Sequence, residues 1–205
     1  MNRASFVTQY HIMNRCSFCQ GNSLYEAYHD LEWGSPQTND QKLFESLVLE
    51  TFQAGLNWLT ILKKRTAFRR AFDDFDIEKV AEYSPKQIGE LLENTEIIRN
   101  RAKIESAVTN ARAALTVQRE HGSLANYLWA FTDYQVIHNA HSSAKEIPSK
   151  TELSIRLSKS LKAKGFSFTG PVVMYAFLQA NGFINDHTTD CDLYALRKKV
   201  RYVTL

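Results

Sequence analysis

The chain has 205 residues, 44% of them hydrophobic and 12% aromatic, which suits one globular domain with a sizeable core. Four prolines and eight glycines exclude long disordered tracts, and a formal net charge of +3 is too small to argue for nucleic acid by itself. No apolar run reaches the roughly eighteen residues that a bilayer span needs, and the opening "MNRASFVTQYHIMNRC" lacks the apolar core of a signal peptide, so a soluble, cytoplasmic chain is expected.

Nearly every segment reads as helix. "TNDQKLFESLVLETFQAG" places Leu43, Phe44, Leu47, Val48 and Thr51 on one stripe. Thr38 or Asn39 caps it, and Thr38 with Gln41 has capping-box spacing. "LNWLTILKKRTAFRRAF" continues with Trp58, Ile61, Leu62, Phe68 and Phe72. "DIEKVAEY" is a short helix capped by Asp76, and "SPKQIGELL" has Ser84 as cap, Pro85 at the first helical position and Gln87 reaching back. "IRNRAKIESAVTNARAALTVQREHG" is a long amphipathic helix closed by Gly122, and "SLANYLWAF" is a short one. "SKTELSIRLSKSLKAKG" aligns Leu153, Leu157 and Leu161 and stops at Gly165, while "TGPVVMYAFLQANG" starts at Gly170-Pro171 and stops at Gly182. No segment alternates as a strand does, and there is no internal repeat or low-complexity linker. The pattern predicts an all-α single domain.

The link "GFSFTG" joins a basic helix to an apolar one. Gly170 allows a tight turn and close approach of a ligand. The first amides of the following helix lack partners and point outward, which suits a phosphate. Lys159, Lys162 and Lys164 stand nearby in sequence. The element reads as a helix-hairpin-helix that grips a DNA backbone, although glycine-bounded hairpins are also common without DNA. The clusters "LKKRTAFRR" and "IIRNRAK" carry less weight, since positive runs on helices are usually solvated faces.

Three cysteines in a chain expected inside the cell read as thiols or metal ligands rather than disulfides. His187 and Cys191 stand four apart, one helical turn, within "GFINDHTTDCDLY". At the other end lie Cys16, Cys19 and His29. Zinc takes four thiolate or imidazole ligands in a tetrahedron. Cys16 with Cys19 forms a C-x2-C knuckle, and Cys16 with His29 spans a longer loop. Spacing alone favours the knuckle.

The segments "RCSFCQGNSLYEAYHDLEWG", "LFESLVLETFQAGLNWLTILKKR", "IIRNRAKI", "GFSFTG" and "NDHTTDC" resemble 3-methyladenine DNA glycosylase I, a family of helix-hairpin-helix glycosylases with a bound zinc. The likeness covers residues 14–192. It leaves an N-terminal extension, 1–13, and a C-terminal tail, 193–205, with no assigned role. It implies a monofunctional glycosylase, acting as a monomer on double-stranded alkylated DNA, that hydrolyses the N-glycosidic bond of 3-methyladenine in a flipped-out nucleotide. A binding protein of the same fold without turnover is the competing reading.

The resemblance also implies the ligand set of a structural zinc: Cys16, His29, His187 and Cys191, with Cys19 a bystander. Glu50 matches the family's carboxylate, which reads the adenine edge. It stands on or beside an apolar stripe, where a charge is costly without a partner. Trp58 matches the stacking tryptophan and Phe18 an aromatic that closes the pocket, with Tyr28 offering a hydroxyl and Tyr25 and Trp33 as walls. Trp33 reads equally well as packing. Gly55-Leu56 matches the plug that fills the gap left by the base, and Gly165, Gly170 and Lys164 belong to the hairpin. Asp186 and Asp190, next to the zinc ligands, are expected to be held structurally.

Overall fold

The computed structural model describes residues 13–205; residues 1–12, most of the expected extension, lie outside the described residues. Ten α-helices follow in chain order: α1 Ser23–Leu31, α2 Asp40–Gln53, α3 Trp58–Ala71, α4 Ile77–Ala81, α5 Pro85–Glu93, α6 Arg101–His121, α7 Leu124–Trp129, α8 Glu152–Ala163, α9 Pro171–Ala180 and α10 Asp192–Arg197. Local chemistry starts most of them. Asn22, Asn39, Asn57, Asp76, Asn100 and Ser123 each accept a first-turn amide, and Ser84 with Gln87 forms the expected capping box. A further box pairs Thr151 with Ser154. At α2 the cap is Asn39, and Gln41 instead donates to the Asp74 carbonyl, so the Thr38–Gln41 box does not form.

Helix α2 is the hub. Its side chains from Leu47 to Phe52 are all buried, and it packs against α3, α6, α7 and α9. Around it, Phe52, Phe68, Phe72 and Phe75 stack or meet edge to face in a fully buried aromatic seam. None of the described helices is long and apolar enough to cross a membrane.

Three local features depart from the sequence reading. The domain is mostly, not wholly, helical: β1, Ile137–His138, pairs in parallel with β2, Ile184–Asn185, and Gln135 bridges Tyr202. Strands of two residues leave no alternation to read. His187 and Cys191 do not share a helical turn; they occupy the loop from β2 to α10, where the Cys191 amide donates to the Thr188 carbonyl (2.8 Å). The segment after Asp192 continues the domain, with Arg201 accepting from the Val136 amide and the Val203 amide donating to Tyr134.

The hairpin of α8 and α9 is present, with the two helices in contact. Gly165 (φ +90°) ends α8 in a Schellman turn: the Phe166 amide donates to Leu161 and the Gly165 amide to Lys162. Fully buried Asn110 of α6 clamps the link through both its amide groups, bonded to the Ser167 main chain at 2.8 and 3.1 Å. Gly170 has φ −65°, open to any residue, and an added Cβ would meet nothing within 4 Å. Its place in the turn is therefore not a matter of backbone freedom; what it leaves is open space before α9.

Candidate functional site

Helices α1, α2, α3 and α9 enclose a cavity of about 290 Å3. Glu50 reaches it from the last turns of α2, the stretch buried on all sides, and is only 4% exposed. Its Oε2 has no hydrogen-bond partner. Burial pushes its carboxyl up to about 8. Trp58, the first residue of α3, and Tyr28, on α1, form the neighbouring walls with ring centroids 5.5 Å apart. The Trp58 indole N–H is also buried without a partner. Burial, followed by the charge of Glu50, pushes the Tyr28 hydroxyl well up, so it stays a donor.

Tyr25 and Trp33 extend this aromatic lining, and Phe18 sits at 37% exposure, 5.4 Å from Tyr25 and 4.9 Å from Trp33. All six residues expected around a base thus line one cavity. A slot of aromatic planes with one unpaired carboxyl suits a flat ring that bears an amine or positive charge. Sequence reasoning missed Gln179 of α9, which also lines the cavity. Its amide donates to Asp186 (2.8 Å), a buried carboxylate that also accepts from Tyr175 (2.5 Å) and Asn139 (2.7 Å). Asp186 is thus held structurally, as expected. A larger cavity of about 370 Å3 lies across Tyr28 and Trp58, but its Arg65 and Arg69 are paired with Glu32 and Glu45 at 2.6 and 2.8 Å. Those walls largely neutralise one another.

Beyond α2 the chain turns through Gly55 at φ +81°, a left-handed conformation that favours glycine. Leu56 follows, 42% exposed rather than in the core. The basic clusters are largely engaged within the chain: Arg70 meets Glu96, Lys64 donates to the Glu96 carbonyl and Lys103 turns inward. Lys164 is ion-paired with Glu120 at 2.5 Å.

On the far side of Trp33 four buried donors converge. Cys16, His29, His187 and Cys191 place one ligand atom each within 4.8 Å of all the others. The measured edges are 3.6 Å from Cys16 Sγ to His187 Nδ1, and 3.5 Å from Cys191 Sγ to both His29 Nε2 and His187 Nδ1. His29 Nδ1 donates to Asp30 (2.8 Å), itself gripped by Arg15, which turns Nε2 inward. His187 Nε2 faces the Trp33 carbonyl at 3.4 Å. Gly34, at φ +72°, leaves no room for a side chain there: a Cβ would stand 2.9 Å from His187 Nε2. Cys19 stays outside the cluster, its buried thiol donating to the Cys16 carbonyl (3.2 Å). The knuckle favoured by spacing alone is therefore absent. Trp33 serves both readings, lining the cavity and packing 4.7 Å from His187.

The sequence model of a family described as methyladenine glycosylase matches residues 18–194. The chain is 42% identical over 177 residues to DNA-3-methyladenine glycosylase of Haemophilus influenzae, covering 86% of this chain and 96% of the relative. It is 42% identical over 182 residues to DNA-3-methyladenine glycosylase 1 of Escherichia coli, covering 89% and 97%. Among solved structures, a tyrosine-to-phenylalanine variant of 3-methyladenine DNA glycosylase I in complex with 3-methyladenine superposes with a TM-score of 0.85 at 37% identity, covering 88% and 97%. Matched nearly from end to end in sequence and in fold, this chain belongs to the methyladenine glycosylase family.

Proposed function

We propose that the chain is a DNA repair glycosylase that hydrolyses the N-glycosidic bond of 3-methyladenine in alkylated duplex DNA and leaves an abasic site. Glu50 carries this reading: a buried carboxyl with an unpartnered oxygen, beside an indole and a phenol, in a cavity suited to a planar base. The names of its relatives support the substrate.

Selection follows from charge. While joined to the sugar, 3-methyladenine is cationic. A cation desolvated over an indole gains about 2 kcal/mol, and stacking a base on an aromatic ring adds roughly 1–3 kcal/mol. Trp58 supplies that face, with Phe18, Tyr25 and Trp33 closing the slot. Glu50 accepts from the exocyclic amine and Tyr28 donates to the ring. Undamaged adenine is neutral and gains less from both the carboxylate and the indole.

The bond to C1′ breaks with its electron pair leaving on the base, which becomes neutral, so no general acid is required. Positive charge moves to the sugar, water adds at C1′ and its surplus proton returns to solvent. Glu50 is the catalytic residue, its anion and the DNA phosphates opposing the charge developing on the sugar. Leu56, at the Gly55 turn, fills the gap left by the extruded nucleotide. The α8–α9 hairpin acts as a helix-hairpin-helix, Gly165 and Gly170 letting a backbone phosphate reach the first amides of α9 while Lys164 adds charge.

Cys16, His29, His187 and Cys191 hold a zinc ion. Tetrahedral zinc with thiolate and imidazole ligands would set sulfur and nitrogen about 3.6 Å apart, and three sulfur–nitrogen pairs of the cluster stand at 3.5–3.6 Å. With four protein ligands the ion supplies cross-linking and charge compensation, not an open position for chemistry.

The test is incubation with methylated duplex DNA and measurement of free 3-methyladenine. The parent releases it, and Glu50→Gln, with fold and metal content retained, loses at least a hundredfold in rate. Binding without release would instead support a non-catalytic reader of alkylated DNA, and absence of both would overturn either reading.

A further inference from the structure

The turn from α2 to α3 exposes residues 54–57 between buried Phe52 and buried Trp58. The last carbonyls of a helix have no partner within it. Here each is accounted for. Thr51 accepts from the Ala54 amide (3.3 Å) and Gln53 from the Leu56 amide (2.6 Å). Phe52 and Ala54 both accept from one ammonium, Lys103 Nζ, at 2.9 and 2.6 Å.

The position of Lys103 is not explained by its own helix. It lies in the first turn of α6, where its amide donates to the cap Asn100. A cation there opposes the helix dipole. It is also 8% exposed, and burial pushes its ammonium down. Both penalties are offset at the C-terminal end of α2, where the orphan carbonyls carry partial negative charge.

The two carbonyls held by Lys103 lie within the three residues before Gly55-Leu56. Asn57 then caps α3 with its own side chain, accepting from the Leu59 amide at 2.7 Å, so Trp58 is set at the cavity by a bond that does not involve Lys103. We propose that Lys103 is a positioning residue for base extrusion: its ammonium fixes the α2–α3 turn in the shape that presents Leu56 outward, and transfers the load on that wedge to α6. It touches neither the base nor the DNA. The inference rests on the reading of Leu56 as the plug.

The test compares Lys103→Met, Leu56→Ala and the double variant with the parent. One measurement is affinity for free 3-methyladenine by tryptophan fluorescence. The other is affinity for a duplex carrying a stable abasic-site analogue next to a fluorescent base that reports unstacking. Lys103→Met is expected to keep free-base affinity within threefold and to lose at least tenfold on the duplex, with weaker unstacking. In the Leu56→Ala background the same substitution is expected to cost less than twofold, because coupled residues are not additive. If Lys103→Met does not fold, Lys103→Arg makes the same comparison with a smaller expected loss, since a planar guanidinium spreads its donors more widely than the two carbonyls. Equal losses for free base and duplex, or additive losses in the double variant, overturn the proposal. A neutral Leu56→Ala overturns the plug reading and this inference with it. A damaging Leu56→Ala beside a neutral Lys103→Met overturns this inference alone.

Discussion

Glu50 makes the pocket costly to fold, and that cost depends on pH in a definite direction. Its carboxyl is raised from 4.5 to about 8 in the folded chain. Between those values the native state keeps the proton while the unfolded chain releases it, so stability falls as pH rises, by about 1.4 kcal/mol per pH unit from this group. Above about 8 both states are ionised and the loss is complete. Glu50→Gln removes the slope. Denaturant unfolding from pH 4 to 9 should show the variant gaining on the parent as pH rises, with the difference shrinking towards pH 4; parallel curves would show that Glu50 has a partner in solution. On the activity side, kcat/KM reports the free enzyme's ionisations. It should rise with pH through about 8 in the parent, because the ionised carboxylate meets the cationic base, and that rise should vanish in Glu50→Gln. In the sequence the place of Glu50 on or beside an apolar stripe marked it as a costly charge, while its role as the base-reading carboxylate came from the resemblance. Gln179, Asn110 and Lys103 were not marked: Asn110 and Lys103 face partners 49 to 57 residues away, and the partner of Gln179, Asp186, became meaningful only once the cavity was defined.

At the scale of elements, the helices were legible because caps and stripes are local, and the failures came where the chain departs from any repeating period. The hairpin separates two meanings of glycine. Gly165, at φ +90°, terminates α8, and Gly165→Ala should destabilise by roughly 1–2 kcal/mol. Gly170 has an ordinary φ of −65° and open space around it. Gly170→Ala should therefore melt within about 2 °C of the parent, on the usual scale of a few degrees per kcal/mol, yet bind duplex DNA more weakly, because its methyl group occupies the space left for a phosphate. Thermal melts paired with duplex titration check both. A Gly170→Ala protein that binds like the parent would remove the phosphate from this turn.

Across the whole molecule the Cys/His cluster brings the two ends of the domain together, and the cavity around Glu50 leans on that tie. Cys16 and His29 come from the first described segments, His187 and Cys191 from the last, and Asn14 pairs with Asp192 beside them. Phe18 follows Cys16 by two residues and Trp33 packs on His187, so two cavity walls stand directly on the cluster. Spacing already offered Cys16, His187 and Cys191 but pointed to Cys19 as the fourth member, and only the resemblance put His29 there; spacing pairs residues close along the chain, while the fold pairs residues 171 apart, as with Cys16 and His187. Cys19→Ser should keep one zinc per chain by elemental analysis, since Cys19 bonds only to the Cys16 carbonyl, whereas Cys16→Ser should lose it. If the cluster holds zinc as proposed, stripping the ion would leave two buried thiols and two imidazoles without a shared charge, and the cluster should open. The expected result is a lower melting temperature together with weaker binding of free 3-methyladenine, the second effect arising because Phe18 and Trp33 lose their footing. Chelation that lowers the melting temperature but leaves base affinity unchanged would show that the tie serves the fold alone.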